Sequence, residues 1–289
     1  MTYPALNQRH VIITGCSTGI GASAAHHLRE RGWTVFPTAR KDQDLQTLRA
    51  QGFTPVSLDT ADPDSVARAA AQLLDLTRGN PGALVNNAGF GQAGAVEDIS
   101  RAAIDYQFQV NVIGMQDLTN RLLPAMRAHR AGRIVNISSV VGRISLPYLG
   151  VYSASKFAME ALSDALRVEL TRTGIAVSLI EPGPITTAFR ANSAAKAEAE
   201  LNLHHGAHAS FYREEISRRK APQLEPRAFT LAPEAVVKKI IHALESPRPK
   251  RRYKVTLPAY FGAFASRFLP HALLDALLSR QIKPEPPSP

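Results

Sequence analysis

A hydroxyl, a phenol and an ammonium group lie close together in the stretch from Ser139 to Lys156. Tyr152 and Lys156 are four residues apart, so on a helix both side chains project from the same face. Ser139 precedes Tyr152 by thirteen residues and follows an apolar run that is typical of a buried strand. Tyrosine has a pKa of about 10, and a cation one helical turn away favours the phenolate and lowers that pKa. These residues predict proton exchange with an alcohol or carbonyl, unless the Tyr–Lys pair arose by chance.

The chain around this stretch alternates between apolar runs and helical patterns. Short apolar or β-branched runs predict strands at 10–14, 34–38, 54–58, 83–86, 133–137, 176–180 and 253–257. Helical patterns lie between them at 20–30, 43–50, 62–78, 101–130, 152–172 and 233–244. Asp62 followed by Pro63 is a favoured helix start, and Pro124 predicts a kink in the long helix.

This strict alternation predicts an α/β protein with a doubly wound, parallel, seven-stranded sheet, covered by helices on both faces as in the Rossmann fold. We expect one domain over residues 1–289, with a core at 9–256, a lid over the substrate at about 186–232 and a helical tail at 257–283. Such sheets bind ligands where strands end and helices begin.

A glycine-rich turn follows the first predicted strand. Gly15, Gly19 and Gly21 leave room for the backbone to approach a pyrophosphate, and the helix N-terminus behind them favours negative charge. The motif lies after a strand and before a helix, which indicates a dinucleotide site that also includes Ser17, Thr18 and Ile20. Cys16 within this turn is interpreted as a small packed residue rather than a reactive thiol.

The end of the second predicted strand indicates which dinucleotide is bound. An NAD site usually has an acidic residue here, whereas this chain has Ala39, Arg40 and Lys41. Arg40 can pair with a 2′-phosphate through a charge-assisted fork and Lys41 adds positive charge, so we expect NADP(H). Asp59 is placed to accept a hydrogen bond from the adenine amino group. The alternatives are a solvated Arg40–Lys41 pair and a simple loop residue at Asp59.

Composition restricts the classes of protein. The chain has 289 residues, of which 45% are hydrophobic and 20% charged, an ordinary composition for a globular protein. The single cysteine and the lack of a basic, apolar N-terminal signal predict a cytoplasmic location. The net charge of +10 is concentrated in residues 190–289, which carry 17 Lys and Arg against 9 Asp and Glu. No nucleic-acid motif accompanies this excess, so we expect no nucleic-acid partner.

Taken together, the motifs resemble the short-chain dehydrogenase/reductase family over residues 9–256. The segments that carry the resemblance are TGCSTGIG at 14–21, NNAG at 86–89, Asn111, Ser139, YSASK at 152–156 and Pro182–Gly183. Within the family, the chain is similar to bacterial NADP-dependent aldehyde reductases and, more distantly, to 17β-hydroxysteroid and retinol dehydrogenases.

The resemblance implies a role for each matching residue. Tyr152 would be the catalytic acid–base, Lys156 would lower its pKa and bind the nicotinamide ribose, and Ser139 would donate to the substrate oxygen. Asn111 would hold a water beside the lysine. Asn87, Ala88 and Gly89 would face the glycine turn, and Pro182, Gly183, Ile185 and Thr187 would wrap the nicotinamide. Simpler roles stand beside these: Asn111 at a helix irregularity, Ser139 at a strand end, and Thr187 as a helix cap. The family also implies a homodimer or homotetramer that pairs through helices 101–130 and 152–172.

The predicted substrate side is apolar. We expect Ser139 to be joined there by Phe90, Val140, Leu146, Tyr148 and Phe189, none of which offers a charge. This favours an aliphatic, aromatic, isoprenoid or steroid carbonyl compound. Helical segments are expected at 194–201 and 211–219 in the lid, the first of them mobile rather than buried. His204, His205 and His208 are interpreted as a surface run, so no metal site is predicted.

An amphipathic, basic tail follows the last predicted strand. Residues 259–281 are rich in Phe and Leu and are broken at Pro270. Two interpretations stand: a helix pair packed over the cleft or a subunit interface, and peripheral contact with a membrane. Residues 284–289 are predicted to be disordered.

The sequence therefore predicts an NADPH-dependent reductase of apolar aldehydes or ketones. The alternative enzyme is an NADP-dependent hydroxysteroid or retinol-type alcohol dehydrogenase. A more distant alternative is an NADP-binding sensor without catalysis, which the combination of Ser139, Tyr152 and Lys156 disfavours.

Overall fold

The computed structural model describes residues 2–220, 229–280 and 282. Residues 284–289, predicted to be disordered, lie outside the described residues, as do positions 221–228 of the predicted lid. In the part of the chain that is described, no helix is long and apolar enough to cross a bilayer.

A parallel sheet of seven strands confirms the predicted fold class, with every pair of neighbouring strands parallel and the order β3-β2-β1-β4-β5-β6-β7. The strands are β1 (His10–Ile13), β2 (Thr34–Ala39), β3 (Val56–Ser57), β4 (Ala83–Asn86), β5 (Gly132–Ile137), β6 (Ile175–Pro182) and β7 (Arg252–Val255). Strand order reverses between β1 and β4, and a crevice outside the strand carboxyl ends at this position is where such sheets bind ligands.

Helices connect the strands and extend beyond the last one. They are α1 (Gly19–Glu30), α2 (Asp42–Ala50), α3 (Pro63–Leu76), α4 (Arg101–Phe108), α5 (Gly114–Ala128), α6 (Gly150–Glu169), α7 (Phe189–Glu200), α8 (Ala209–Lys220), α9 (Glu234–Glu245), α10 (Leu257–Phe268) and α11 (His271–Ser279). Asp62 caps α3 as predicted, because its side chain accepts a hydrogen bond from the Asp64 amide at 3.0 Å.

Two apolar layers hold the helices against the sheet. Val11 and Ile13 of β1 face a cluster that includes residues of α1 and α9, whereas Ile12 faces the opposite cluster with α3, α5 and α6. This alternation follows from the two-residue period of a strand. Full burial of each such side chain contributes about 1.5–3 kcal/mol, so the two layers fix the strand ends that carry the site.

The predicted helix 101–130 is not continuous. A π-helical turn at Gln109–Ile113 separates α4 from α5, and Pro124 lies inside α5. The interruption is therefore at Asn111 rather than at the proline. A π turn inserts one extra residue, and it often occurs at functional sites.

The lid helices form a third apolar cluster. Ala194 and Ala197 of α7 are 0% and 2% exposed and pack with Ile216 of α8, so the expectation that this segment is not buried was wrong. Alanine has little surface to bury, but it permits close approach of neighbouring side chains. Tyr212 of α8 donates to Asp98 and accepts from the Ala95 amide at 3.0 Å, which fixes α8 against the body of the protein.

Candidate active site

A large cavity lies at the carboxyl ends of the strands, with a volume of about 1330 Å³. Its walls come from the glycine-rich turn, the ends of β2, β4, β5 and β6, the start of α6, and the lid helices. Predicted site residues that line it are Gly15, Ser17, Thr18, Gly19, Ile20, Arg40, Lys41, Asp59, Asn87, Ala88, Gly89, Phe90, Ser139, Leu146, Tyr148, Tyr152, Lys156, Pro182, Gly183, Ile185, Thr187 and Phe189. Gly21, Asn111 and Val140 lie outside this lining.

Ser139, Tyr152 and Lys156 meet on one wall of the cavity. Ser139 follows β5 and lines the cavity together with Tyr152, which lies in the first turn of α6. The Lys156 ammonium donates to the Ile137 carbonyl at 2.8 Å and lies 5.9 Å from the centre of the Tyr152 ring. The strand end thus positions the lysine, and the helix aligns it with the tyrosine.

Burial controls the proton affinities of these two groups. Burial raises the pKa of Tyr152 to about 12, partly opposed by the hydrogen bond with Ser139, and it lowers the pKa of Lys156 to about 8. The Tyr152 pKa is thus shifted in the direction opposite to the one expected from the nearby lysine, because removal of the phenol from water is the largest cause. Near neutral pH the tyrosine carries its proton and the lysine is mostly charged.

Asn111 lies in the π turn behind the cavity and is fully buried. Its side chain accepts from the Phe90 amide at 3.1 Å, donates to the Phe90 carbonyl at 2.9 Å and donates to Ser155 at 3.1 Å. Through these hydrogen bonds, Asn111 connects the segment that follows β4 to α6. A Cβ atom on Gly89 would lie 3.0 Å from Asn111 Oδ1 and 3.8 Å from Lys156 Nζ, so glycine leaves space between them.

The glycine-rich turn has the conformation that its sequence predicts. Gly15 and Gly19 have φ of +71° and +62°, values that favour glycine. A Cβ atom on Gly21 would meet the Gly15 carbonyl and lie 2.6 Å from Asn87 Nδ2, which itself donates to Gly15 O at 3.0 Å. Gly21 therefore supports the turn from behind. Cys16 is 1% exposed and burial raises its thiol pKa to about 12, which confirms the packed role.

Arg40 has partners that its sequence position did not reveal. Its guanidinium donates to the Tyr106 hydroxyl at 2.8 Å and lies 3.7 Å from an Asp59 carboxylate oxygen. Tyr106, on α4, is 66 residues away in sequence and was not predicted at the site. Together Tyr106 and Asp59 orient Arg40 at the edge of the cavity next to β2.

The segment after β6 crosses the cavity from the sheet to the lid. Ile185 forms a parallel bridge with Leu231, and Gly183 packs so closely on Thr256 that a side chain would collide. The Thr187 hydroxyl accepts from the Phe189 amide at 3.3 Å, but the N-cap of α7 is Ala188, so Thr187 lies one residue before the cap position considered for it. Thr187 also lies against Gly19, so this segment closes onto the glycine turn.

Aromatic and apolar side chains form the wall beside Tyr152. The Phe189 ring lies 5.5 Å from the Tyr152 ring, and the Tyr148 ring stacks on Phe211 at 3.8 Å. Phe211 belongs to α8 and was not predicted. The prediction that Val140 lines the substrate side was wrong. Val140 packs against Gly262 of α10, and its neighbour Val141 lines the cavity instead. Both sit in a 3-10 turn, where one residue changes the direction of the side chain.

Charged side chains from the lid reach another part of the cavity. The Lys196 ammonium lies 4.8 Å from the centre of the Tyr106 ring, and Arg190, Glu214, Glu215 and Arg218 also contribute to the lining. The wall residues expected from the sequence carry no charge, but the lid adds several charged side chains.

The predicted histidine run of the lid contacts neighbouring side chains. A ring nitrogen of His208 lies 2.8 Å from a Glu97 carboxylate oxygen, and the other lies 3.4 Å from the Tyr148 hydroxyl. Across the described ranges, no group of three or more His, Cys, Asp or Glu is placed to hold a metal ion.

The parallel sheet, its glycine-rich turn and the Ser–Tyr–Lys set at the strand ends define a nucleotide-binding oxidoreductase of the Rossmann type. Residues 9–198 match the model of the short chain dehydrogenase family, and the protein belongs to that family.

Relatives match nearly the whole chain. An uncharacterized oxidoreductase, YbbO, from Escherichia coli is 44% identical over 271 residues, which are 94% of each chain. The NADPH-dependent 3-dehydrocapnine reductase of Ornithobacterium rhinotracheale is 31% identical over 95% of this chain and 98% of the relative. A short-chain dehydrogenase structure from Streptomyces avermitilis has a TM-score of 0.75 at 30% identity, covering 94% of this chain and 98% of the other.

Proposed function

We propose that this protein uses NADPH to reduce an apolar aldehyde or ketone to the alcohol. The observation that carries the proposal is the meeting of Ser139, Tyr152 and Lys156 at one wall of a cavity that also contains the glycine-rich turn. The donors and the dinucleotide-binding elements thus share one space.

The cavity fits a dinucleotide phosphate. The glycine-rich turn and the N-terminus of α1 would hold the pyrophosphate, and Arg40 and Lys41 would hold the 2′-phosphate. Asp59 would bind the adenine, and Lys156 the ribose beside the nicotinamide. The segment from Pro182 to Thr187 would enclose the nicotinamide. The absence of an acidic residue at Ala39 removes the repulsion that a 2′-phosphate would meet there.

When bound, the nicotinamide supplies hydride to the substrate carbon. The carbonyl oxygen then gains negative charge, and the Ser139 hydroxyl and Tyr152 phenol act as preorganised donors to it. Tyr152 delivers its proton to that oxygen as the general acid. Lys156 holds positive charge next to the phenol and stabilises the phenolate that remains. Asn111 positions α6 through Ser155 and supports the return of a proton by way of water and Lys156.

The protonation state of Tyr152 suits its proposed role as a general acid. A general acid must carry its proton at the start of the step, and burial raises the pKa of Tyr152 to about 12, which keeps the phenol neutral at physiological pH. The same groups would serve alcohol oxidation in reverse, so the direction rests on the cofactor: Arg40 and Lys41 favour NADPH, which is the reductant. The alternative is a retinol-type or hydroxysteroid dehydrogenase, and a retinol dehydrogenase 8 and a 17-beta-hydroxysteroid dehydrogenase type 6 are among the relatives.

The substrate class follows from the wall beside Tyr152. Phe189, Leu146, Pro147, Tyr148 and Phe211 give this part of the cavity an apolar surface. An aldehyde or ketone with an aliphatic or aromatic body would bury its body there and direct its oxygen toward Ser139. The NADPH-dependent relative from Ornithobacterium rhinotracheale supports the choice of cofactor and the direction of the reaction.

The proposal is tested by following NADPH consumption at 340 nm across a panel of aliphatic and aromatic aldehydes, ketones and steroids. We expect turnover of apolar carbonyl compounds, faster with NADPH than with NADH. Consumption of neither cofactor with any member of the panel, despite measurable NADPH binding, would contradict the proposed reduction and favour a sensor.

We also propose that two copies pair through α4, α5 and α6. Ile113, Phe157, Leu162 and Val168 are large apolar side chains that the single chain leaves exposed on or next to these helices. Burying them against a second copy would remove apolar surface from water. Size-exclusion chromatography with light scattering should give a multiple of the 31.3 kDa chain mass.

A further inference from the structure

The helix α10 is packed in the reverse of the usual way. Its buried face consists of the small residues Ala259, Gly262, Ala263 and Ala265. Its large side chains instead face solvent: Leu257, Tyr260, Phe261, Phe264 and Phe268 are each between 55% and 66% exposed. A helix that packs on a globular body normally turns its large apolar residues inward. The outward stripe is therefore not required by the packing of this chain.

The exposed large residues of α10 lie along one side of the helix. Positions 257, 261, 264 and 268 recur at helical spacing along α10, and the Phe264 and Phe268 rings are 5.0 Å apart. On α11, beyond Pro270, none of the described side chains is buried, and Leu273 is 48% exposed. Contiguous apolar patches of this kind mark an interaction site. We name the exposed residues of α10 together with Leu273 the tail face.

Positive charge borders the tail face. Residues 254–280, from the end of β7 through α11, contain three basic residues, Lys254, Arg267 and Arg280, against a single acidic residue, Asp275. Arg267 lies on α10 itself, and the Lys254 ammonium is 5.6 Å from the centre of the Tyr260 ring. Aromatic residues bordered by cations suit the boundary between lipid headgroups and acyl chains, and about 1 kcal/mol is gained for each Lys or Arg near an anionic surface. An anionic surface complements these cations, whereas a second copy would bring like charges against them.

We propose that the tail face binds the surface of an anionic lipid bilayer. The phenyl rings of α10 enter the headgroup region with the helix lying in the plane of the membrane, and Lys254 and Arg267 contact anionic headgroups. The protein would then associate reversibly with the bilayer rather than span it.

The tail face lies close to the cavity, so binding to a membrane would affect which substrates reach the cavity. The buried face of α10 packs on the 3-10 turn at Val140–Gly142, directly after Ser139; a Cβ on Gly262 would lie 2.8 Å from Val140 Cγ2. Membrane contact would therefore bring the apolar side of the cavity close to a lipid phase. Resting on the proposed function, this favours a carbonyl substrate that partitions into lipid.

The test uses the full-length protein and sucrose-loaded vesicles of phosphatidylcholine alone or mixed with phosphatidylglycerol. We expect sedimentation with the anionic vesicles, weakened by high salt. Combining Phe261→Ser, Phe264→Ser and Phe268→Ser should reduce the partition coefficient at least about tenfold, and Arg267→Gln should reduce it about fivefold. Val96→Ser and Arg49→Gln are matched controls, since both residues are exposed elsewhere on the surface, and should leave binding unchanged.

Several results would overturn the proposal. Failure of the wild-type protein to sediment with anionic vesicles would do so, as would equal binding by the triple-serine variant. A change of oligomeric state in that variant, without vesicle binding by the wild type, would assign the face to a subunit contact. NADPH consumption with a water-soluble aldehyde is measured in parallel. Because the three phenylalanines lie outside the cavity, this activity should persist in the variant, which separates a failed membrane contact from a failed enzymatic proposal.

Discussion

Discrimination between NADPH and NADH should depend on Arg40. Its guanidinium is held by Tyr106 at 2.8 Å and by Asp59 at 3.7 Å, so its orientation is set before the cofactor binds. A hydrogen bond to a charged group is worth about 1.5–3 kcal/mol. Because the Arg40 side chain is 52% exposed, we take about 2 kcal/mol, or about a 30-fold loss of NADPH affinity, for Arg40→Gln.

Arg40→Asp should be more damaging because it adds repulsion of the 2′-phosphate. Two charges 4 Å apart interact by about 4 kcal/mol at an effective dielectric constant of 20, and solvent reduces this at an exposed site. We therefore expect a further loss of at least about tenfold with NADPH and little change with NADH.

The assay compares kcat/KM for the two cofactors with one aldehyde substrate. Arg49→Gln, an exposed arginine on α2, serves as the control and should leave both values unchanged. Tyr106→Phe should weaken NADPH alone, by a smaller factor than Arg40→Gln, because it removes the hydroxyl that orients the guanidinium. Equal losses of kcat/KM with NADPH and with NADH in the Arg40 variants would refute the proposed contact between Arg40 and the 2′-phosphate.

Two further substitutions test the buried groups of the site. Burial lowers the Lys156 pKa from 10.5 to about 8. This shift means that, below pH 8, the buried charge of Lys156 destabilises the folded state by about 3 kcal/mol. Lys156→Met should therefore abolish activity yet raise the thermal midpoint at pH 7; a clear drop would contradict this account. In the wild type, the unfolded chain binds more protons at Lys156 between pH 8 and 10.5, so this group's contribution to stability rises over that window. Gly21→Ala should weaken NADPH at least about tenfold and destabilise the fold by about 1–3 kcal/mol, since its Cβ would collide with Gly15 O and Asn87. Unchanged binding by calorimetry would exclude the supporting role of Gly21.

The parallel sheet could be predicted because its strands are short, apolar and separated by helical patterns. Strand β4 was predicted with the bounds that the structure has, and the glycine-rich turn was placed correctly between β1 and α1. Both depend on local sequence: side-chain period for the strand, and positive φ for Gly15 and Gly19.

Features that depend on distant contacts could not be predicted in the same way. A helix irregularity at Asn111 was only one alternative from the sequence, because the π turn there has an ordinary helical sequence; the Asn111 side chain accepts from the Phe90 amide, 21 residues away. The contact of Tyr106 with Arg40 likewise joins segments that sequence spacing does not relate. Val140 and Val141 are chemically equivalent, so only the backbone of the 3-10 turn decides which one faces the cavity.

The pKa shifts of Tyr152 and Lys156 could be predicted only once the fold was known. A lysine one turn from a tyrosine suggests a lowered phenol pKa, but the sequence does not state how deeply the pair is buried. Tyr152 and Lys156 are 8% and 4% exposed, and at that depth desolvation decides the direction for both. The tail is a similar case, because amphipathicity was evident in the sequence, whereas the outward direction of its large residues was not.

The most direct test of the account is a single-turnover measurement on Tyr152→Phe with bound NADPH and an apolar aldehyde. The substitution removes the proposed proton donor and keeps the ring that packs against Phe189. We predict a rate of NADPH oxidation at least about 100-fold below that of the wild type, with NADPH affinity changed by less than about threefold. A rate close to that of the wild type would show that Tyr152 does not supply the proton.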